Sequence, residues 1–272
     1  MALTDISLTA GMRSNLLSLQ KTSVLLDRTQ DRLSTGKKVN SALDDPINFF
    51  AAQGHMQRAS DLAARKDGMA EAIQTIKAAD AGISAITDLL QQAKALITAA
   101  RSASASEITS LQNQYDELLD QIADLADDSG YKGTNLLDAA TLTVDFDEAG
   151  ESSLDIVGFS ATTAGTIGSA SISAADFSSS GAMDTAVGEI DDALTELRTQ
   201  SKTLSSNLSV VTSREEFTTN MIDTLQEGAD KLTLADMNEE GANMLMLQTR
   251  QALGTTALSL SSQAAQAVLR LF

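Results

Sequence analysis

The sequence contains no cysteine and no tryptophan, and it has one histidine, one proline and nine aromatic residues in 272. Without Cys there is no disulfide, no thiolate nucleophile and no zinc site of the usual kind, and oxidising and reducing compartments are equally tolerable. His55 has no partner motif: there is no H-E-x-x-H, no G-x-S-x-G, no G-x-G-x-x-G and no G-x-x-x-x-G-K-S/T. No run of about 18 apolar residues suggests a membrane span. The first residues, MALTDISLTAGMRSNLL, lack the basic start and unbroken apolar stretch of a secretory signal, so any export is expected to use another route. No enzyme, cofactor or metal centre is expected.

What is present is Ala, Leu, Ser and Gln, a composition suited to long helices packed along narrow seams. The net charge is −18. It is concentrated: residues 101–200 carry 19 acidic and 3 basic side chains, residues 1–100 carry 10 and 11, and residues 201–272 carry 8 and 5. The middle reads as solvent-facing and self-repelling. The nearly neutral ends can pack against copies of themselves without accumulating like charge. Such acidity argues against nucleic acid, which requires a basic footprint.

Heptads run through most of the chain. A first helix is expected over about 5–33, with Met12, Leu19, Leu26 and Leu33 seven apart and Leu16 in the complementary column, where Ser23 and Gln30 interrupt. Gly36 supplies its C-terminal cap. KKVNSALDD then reads as an extended connector through Asn40 and Asp44. Asp45 followed by Pro46 is an N-cap with Pro at the first helical position. The second helix reaches about residue 100, with a candidate break at Gly54 or Gly68, and Met69, Ile76, Ile83, Leu90 and Ile97 step by seven over about 43 Å. Ser106 is the expected cap of the third, in which Ile108, Leu111, Tyr115, Leu118, Ile122 and Leu125 form the apolar face. Asp116, Glu117, Asp120, Asp124, Asp127 and Asp128 form its exposed side.

Between 129 and 182 the heptads vanish. Leu142, Val144 and Phe146, then Leu154 and Ile156, alternate with polar residues around DEAGES, the signature of a β-hairpin. Residues 160–182 read as loop or weak strand. A long helix over about 183–232 follows. Its columns are Leu197, Leu204, Val211, Thr218, Leu225 and Leu232, and Leu208, Ile222 and Ala229 with Glu215 as a poor member. A closing helix runs from about 236 to 272. The fold class is mainly α, an elongated antiparallel coiled-coil or helical rod built from both termini, with a small central β-hairpin region.

Leu253, Ala257, Leu260, Ala264, Val268 and Leu271 recur at spacings of three and four and make a stripe that stays apolar to Phe272. Only Arg250 and Arg270 are charged beyond Glu240. Chain ends are usually polar unless something ties them down. Packing within one bundle suits 69–125 and 190–232. For residues 3–33, with Leu3 and Ile6 included, and for 240–272, cover by other copies of the chain is the expectation. His55 reads as a surface or groove residue, Asp44-Asp45 as connector and cap, the 116–128 run as a solvated helix face, and the Met237, Met244 and Met246 cluster as packing. Weak cation binding at Asp145, Asp147, Glu148 and Glu151 of the hairpin turn is a minor alternative.

Three stretches carry a family resemblance. LSTGKKVNSALDDP (Leu33–Pro46) resembles L-S-S/T-G-x-K/R-I/V-N-S/T-A-x-D-D-A of bacterial flagellins. YKGTNLLD (131–138) resembles the segment before their variable insert. Residues 235–272 resemble their C-terminus, with Gln248, Gln251 and Gly254 matching and the next leucine at Leu258. Leu43, the run Pro46-Ile47-Asn48-Phe49-Phe50 and the terminal Phe272 depart from the pattern and bear on the connector's local geometry.

The resemblance implies a subunit of the flagellar filament. It implies core helices over 1–40 and 236–272, a rod layer over 41–135 and 183–235, and an outward-facing insert over 136–182. It implies self-assembly into a helical homopolymer and export through the flagellar type III apparatus. Its implied partners are a flagellin export chaperone on the C-terminal helix and the hook–filament junction and cap proteins, without membrane insertion. The residues that vertebrate innate receptors contact in flagellins fall on Gln92, Leu96 and Ala99, two of them lacking the family's polar or charged group, so weak activation is expected. Rival readings are a hook–filament junction protein, which shares the termini, and a secreted helical adhesin.

Overall fold

The computed structural model describes residues 10–161, 166–172 and 176–269. Five helices and four short strands follow in the order α1 (Ala10–Thr35), α2 (Pro46–Ala100), α3 (Ala105–Asp128), β1 (Thr141–Asp145), β2 (Ser153–Val157), β3 (Thr166–Ile167), β4 (Ala170–Ser171), α4 (Ser180–Thr233) and α5 (Met237–Leu269). The fold is mainly α. The chain divides into two compact units, one made of residues up to 57 and from 225 on, the other of residues 58–224.

In the 58–224 unit the heptads do what their spacing predicts. Met69, Ile76, Ile83, Leu90 and Ile97 of α2 are all buried, as are Leu197, Leu204 and Val211 of α4. Burying each such side chain stabilises the fold by about 1.5–3 kcal/mol. Lys94 pairs with Asp191, Arg101 with Asp184, and the Ser201 hydroxyl donates to Asp80 at 2.8 Å. Partner numbers on α2 rise as those on α4 fall, so the two segments run antiparallel. Neither Gly54 nor Gly68 breaks α2: an isolated helical glycine costs only about 1 kcal/mol, and the sequence around both is rich in Ala.

α3 is capped by Ser104 rather than Ser106. The Glu107 carboxylate accepts from the Ser104 backbone at 2.8 Å and from its hydroxyl at 2.7 Å, and these bonds hold Glu107 below the usual carboxylate range. Tyr115, Leu119, Ile122 and Ala126 form its buried face, with Leu111 and Leu118 half-buried. The Tyr115 ring tilts against Phe177 at 5.5 Å. Its hydroxyl is buried without a partner among the described residues; burial, then the charges of Glu189 and Asp116, push its pKa up to about 12. Asp116 was expected on the exposed side, yet one of its carboxylate oxygens is buried. Burial, then Asp120, raises its pKa.

The YKGTNLLD segment folds back on the end of α3. The Asn135 side chain donates to the carbonyls of Ala126 at 2.8 Å and Asp127 at 3.1 Å, satisfying the helix's open C-terminus. Lys132 pairs with Glu71, and Leu136 and Leu137 are buried. The expected hairpin is present, with Val144 opposite Leu154 and Thr143 opposite Asp155. Arg58 reaches Glu148 at 2.6 Å, and the Arg214 guanidinium sits 5.1 Å from the centre of the Phe146 ring. Gly158 is where the chain passes too close for a side chain: a Cβ there would lie 2.3 Å from the Leu136 carbonyl oxygen. β3 and β4 form a second small antiparallel pair within the segment read as loop or weak strand.

The other unit is built on α1 and α5. Leu19 lies against Gly254, and Arg32 pairs with Glu240 at 2.7 Å. Partner numbers rise on one helix as they fall on the other, so these two also run antiparallel. Gly36, at φ +70°, ends α1 by donating to the Arg32 carbonyl, the cap expected of it. The connector then pairs with the α4–α5 turn: Lys38 and Val39 donate to the Thr233 carbonyl, and Ala235 donates to Gly36. The Asp44 carboxylate accepts from the backbone of Ser41 at 2.9 Å, that of Asn40 at 3.1 Å, and the Ser41 hydroxyl. Those bonds, with Arg28 nearby, lower its pKa. Asp45 caps α2 by accepting from the Asn48 N–H at 3.1 Å, with Pro46 first in the helix as expected.

Candidate self-association surface

α1 buries a different complementary column from the one hydropathy suggests. Met12, Thr22 and Thr29 are buried and Asn15, Leu19, Leu26 and Leu33 half-buried, so the seam toward α5 alternates by three and four through 12, 15, 19, 22, 26, 29 and 33. The Thr22 hydroxyl is satisfied by donating to the Ser18 carbonyl at 2.9 Å, which lets a polar residue sit in the seam. Leu16, expected beside Met12 in the seam, is exposed instead, because it lies one position beyond Asn15.

α5 shows the same displacement. Its seam column is Glu240, Leu247, Gly254 and Ser261, seven apart, the first two buried and the others half-buried. Gly254 is small for a reason: a Cβ there would lie 2.6 Å from a methyl of Leu19. Of the stripe read from sequence, Ala257 is half-buried and Ala264 exposed, while Leu253 and Leu260 are 66 % and 61 % exposed. The side chain of Val268, and Leu3, Ile6, Leu271 and Phe272, lie outside the described residues.

Each terminal helix therefore carries a second apolar column pointing away from the first. On α5 it is Met246, Leu253 and Leu260, and on α1 Leu17 and Val24, each at steps of seven. Leu25 and Leu245 extend these faces. Leu17, Gln20, Lys21, Val24 and Leu25 line a shallow apolar groove on α1. Knobs and holes at heptad spacing are what a further helix requires. The sequence signal for these columns was available in the same seven-residue steps, but two columns compete on each helix and hydropathy alone does not say which faces inward.

Among the described residues nothing else gathers into a chemical site. Two grooves beside the connector are lined by charges of both signs, Arg28, Arg32, Asp44 and Glu240 among them. His55 is half-exposed beside Gly228 of α4. Among the described residues no group of three or more His, Cys, Asp or Glu is placed to hold a metal ion, and no helix is long and apolar enough to cross a membrane. Gln92 and Leu96 line a groove between α2 and α3 with Leu118 and Gln121, and Ala99 lines a neighbouring one with Ser102 and Leu111. Leu96 is half-buried and the other two positions are exposed.

A paired set of terminal helices with exposed apolar columns, in a chain that also holds a separately packed unit, defines a helical structural subunit. The comparisons give its family. The Bacterial flagellin N-terminal helical region matches residues 6–141, and the Bacterial flagellin C-terminal helical region matches 187–272. Flagellin FljM of Caulobacter vibrioides is 31 % identical over 274 residues, covering all of both chains, and the Flagellin of Brucella melitensis is 27 % identical over 267 residues, covering 94 % of this chain and 95 % of that one. The crystal structure of Bacillus cereus flagellin aligns at a TM-score of 0.47 and 18 % identity, covering 56 % of this chain and 88 % of that one. The chain belongs to the bacterial flagellin family.

Proposed function

We propose that this chain is the subunit of a bacterial flagellar filament and that its terminal helices polymerise it. The observation that carries the reading is the second apolar column on both α1 and α5, in a unit whose net charge is only −1. Each leucine of these columns gains about 1.5–3 kcal/mol when a neighbour covers it. One protomer's outward column meeting a different surface of the next is a heterologous contact, and such contacts propagate as an open helix unless rotation closes them.

The finer assignments follow the same lines. The terminal helices line the inside of the tube, and the acidic middle faces water, where its self-repulsion is screened. The filament-core set extends from Leu3 and Ile6 to Leu271 and Phe272, and the heptad leucines of α2 and α4 pack the rod. Export runs through the flagellar type III apparatus, a course compatible with a chain free of disulfides. A chaperone covers the exposed face of α5 beforehand, and junction and cap proteins meet the same termini at the filament's ends. With Gln92 and Ala99 at receptor-contact positions, a receptor-reporter cell line is expected to respond weakly; a response equal to that of a strongly stimulating flagellin would refute this point alone.

The polymerising role is tested by removing residues 237–272. The truncated protein is expected to stay monomeric when mixed with sheared filament seeds while the 58–224 unit keeps its thermal transition. Growth of filaments by the truncated chain would sink the reading.

A further inference from the structure

The readily oxidised side chains of this protein are its methionines. With no cysteine and no tryptophan in the chain, the thioethers are the softest groups it offers to a peroxide. The described methionines sort by burial. Met12, Met69 and Met183 are buried, whereas Met56, Met237 and Met246 are 51 %, 48 % and 54 % exposed. Met221 and Met244 are half-buried. Met237, Met244 and Met246, expected from sequence to pack together, thus differ in exposure. All three exposed methionines lie in the terminal unit.

Of those three, Met246 alone stands in an outward column. Leu253 and Leu260 follow it at steps of seven, and Leu245 beside it is exposed as well. Met237 is the first residue of α5, and Met56 lies on α2. Oxidation turns a flexible apolar side chain into a polar one by adding a single S=O oxygen. In the free chain water satisfies that oxygen. A neighbour covering the column removes the water, and the side chains of Leu245 and Leu253 supply no donor in its place. Covering an unsatisfied acceptor costs free energy that covering a thioether does not.

We propose that Met246 is a reversible oxidation site at which a hydroperoxide switches off the polymerising face of α5. The proposal rests on the filament reading above, since the column matters only where another copy covers it. The peroxide O–O bond breaks and one oxygen bonds to Sδ of Met246. The sulfur gives up two electrons, and the other oxygen leaves as water. Methionine sulfoxide reductases return the product to the thioether with a thiol as reductant. The switch acts on the unassembled chain, because the neighbour that covers the column also shields the sulfur.

Hydrogen peroxide applied to the full-length monomer tests this, with sulfoxides located by peptide mass spectrometry. Met56, Met237 and Met246 are expected to oxidise about tenfold faster than Met69 and Met183, with the circular dichroism unchanged. The oxidised chain is expected to need about a tenfold higher critical concentration to grow on untreated seeds. Sulfoxide reductase with dithiothreitol is expected to restore the original value. Met246→Leu is expected to grow like wild type and to lose most of the peroxide sensitivity, while the double variant Met56→Leu, Met237→Leu keeps it. In finished filaments Met246 is expected to oxidise about tenfold more slowly than in the monomer. If the untreated chain never grows on seeds, the filament reading fails. If it grows, and the chain carrying sulfoxide at position 246 grows equally well, or Met246→Leu stays as sensitive as wild type, the oxidation proposal is overturned and the filament reading stands.

Discussion

The two units of the molecule spend their apolar residues in opposite ways. In residues 58–224, Met69, Ile76, Ile86, Leu90 and Ile97 lose almost all contact with solvent. In the other unit the helix seam is made partly of Thr22, Thr29, Glu240 and Gly254, and leucines of matching spacing point out. Of seventeen exposed large apolar side chains among the described residues, fourteen lie in the terminal unit. The charge divides the other way, −17 against −1. One unit thus buries its apolar residues and carries most of the charge, and the other leaves apolar residues exposed at almost no net charge. The same heptad grammar serves both, and what differs is whether the second apolar column finds a partner inside the chain.

The sharpest way to break this contrast is to truncate one leucine from each unit. Leu90→Ala is expected to cost about 2–5 kcal/mol in monomer unfolding by urea. Leu260→Ala is expected to stay within about 0.5 kcal/mol of wild type in the same experiment and to show its effect only on filament growth. Equal losses in the monomer would mean that α5 is already completed within one chain.

Crowding the packed unit comes next. Gly158→Ala would place a methyl group 2.3 Å from the Leu136 carbonyl oxygen and 2.6 Å from that of Ala140. Both are backbone atoms with little room to move, so a loss of about 1–3 kcal/mol is expected, read as a lower urea midpoint. Alkaline titration sharpens the contrast further. Tyr115 ionises near about 10 when unfolded and at about 12 when folded. Its folded-state value is raised, so the stability it lends is complete below the lower value and is lost as pH climbs to the upper one. Tyr115→Phe is expected to remove that part of the alkaline decline and to cost under about 1 kcal/mol at neutral pH, since the hydroxyl has no partner to lose. The smallest effect is a gain. Gly68→Ala, with nothing within 4 Å of the new methyl, is expected to stabilise the monomer by about 0.5–1 kcal/mol, measured by thermal unfolding.

Much of the packed unit was readable from residues alone. The steps of seven through Met69–Ile97 and Leu197–Val211 have no competing apolar column, so period and burial coincide. The hairpin's alternation around DEAGES was equally plain. The terminal pair was readable as apolar and helical but not as to which face turns in. Leu16 and Leu253 are greasier than Asn15 and Gly254, yet the close approach of two helices selects small or self-satisfied side chains over large ones. Ser104 and Ser106 compete for one cap, and the Glu107 position, three residues after Ser104, settles it. The turn at Leu43–Phe50 was visible only as a departure from pattern; its exposure depends on how Asp44 folds the connector.

Threonines and half-buried leucines along most of the seam have little to say about a one-turn slip of about 5.4 Å. The fit of Leu19 onto Gly254 is one exception, and the Arg32–Glu240 pair is another. It sits where α1 ends and α5 begins, and it works as an index mark: only one phase of the two helices closes it. The clasp thereby sets, within one chain, the offset at which α1 and α5 display their outer columns.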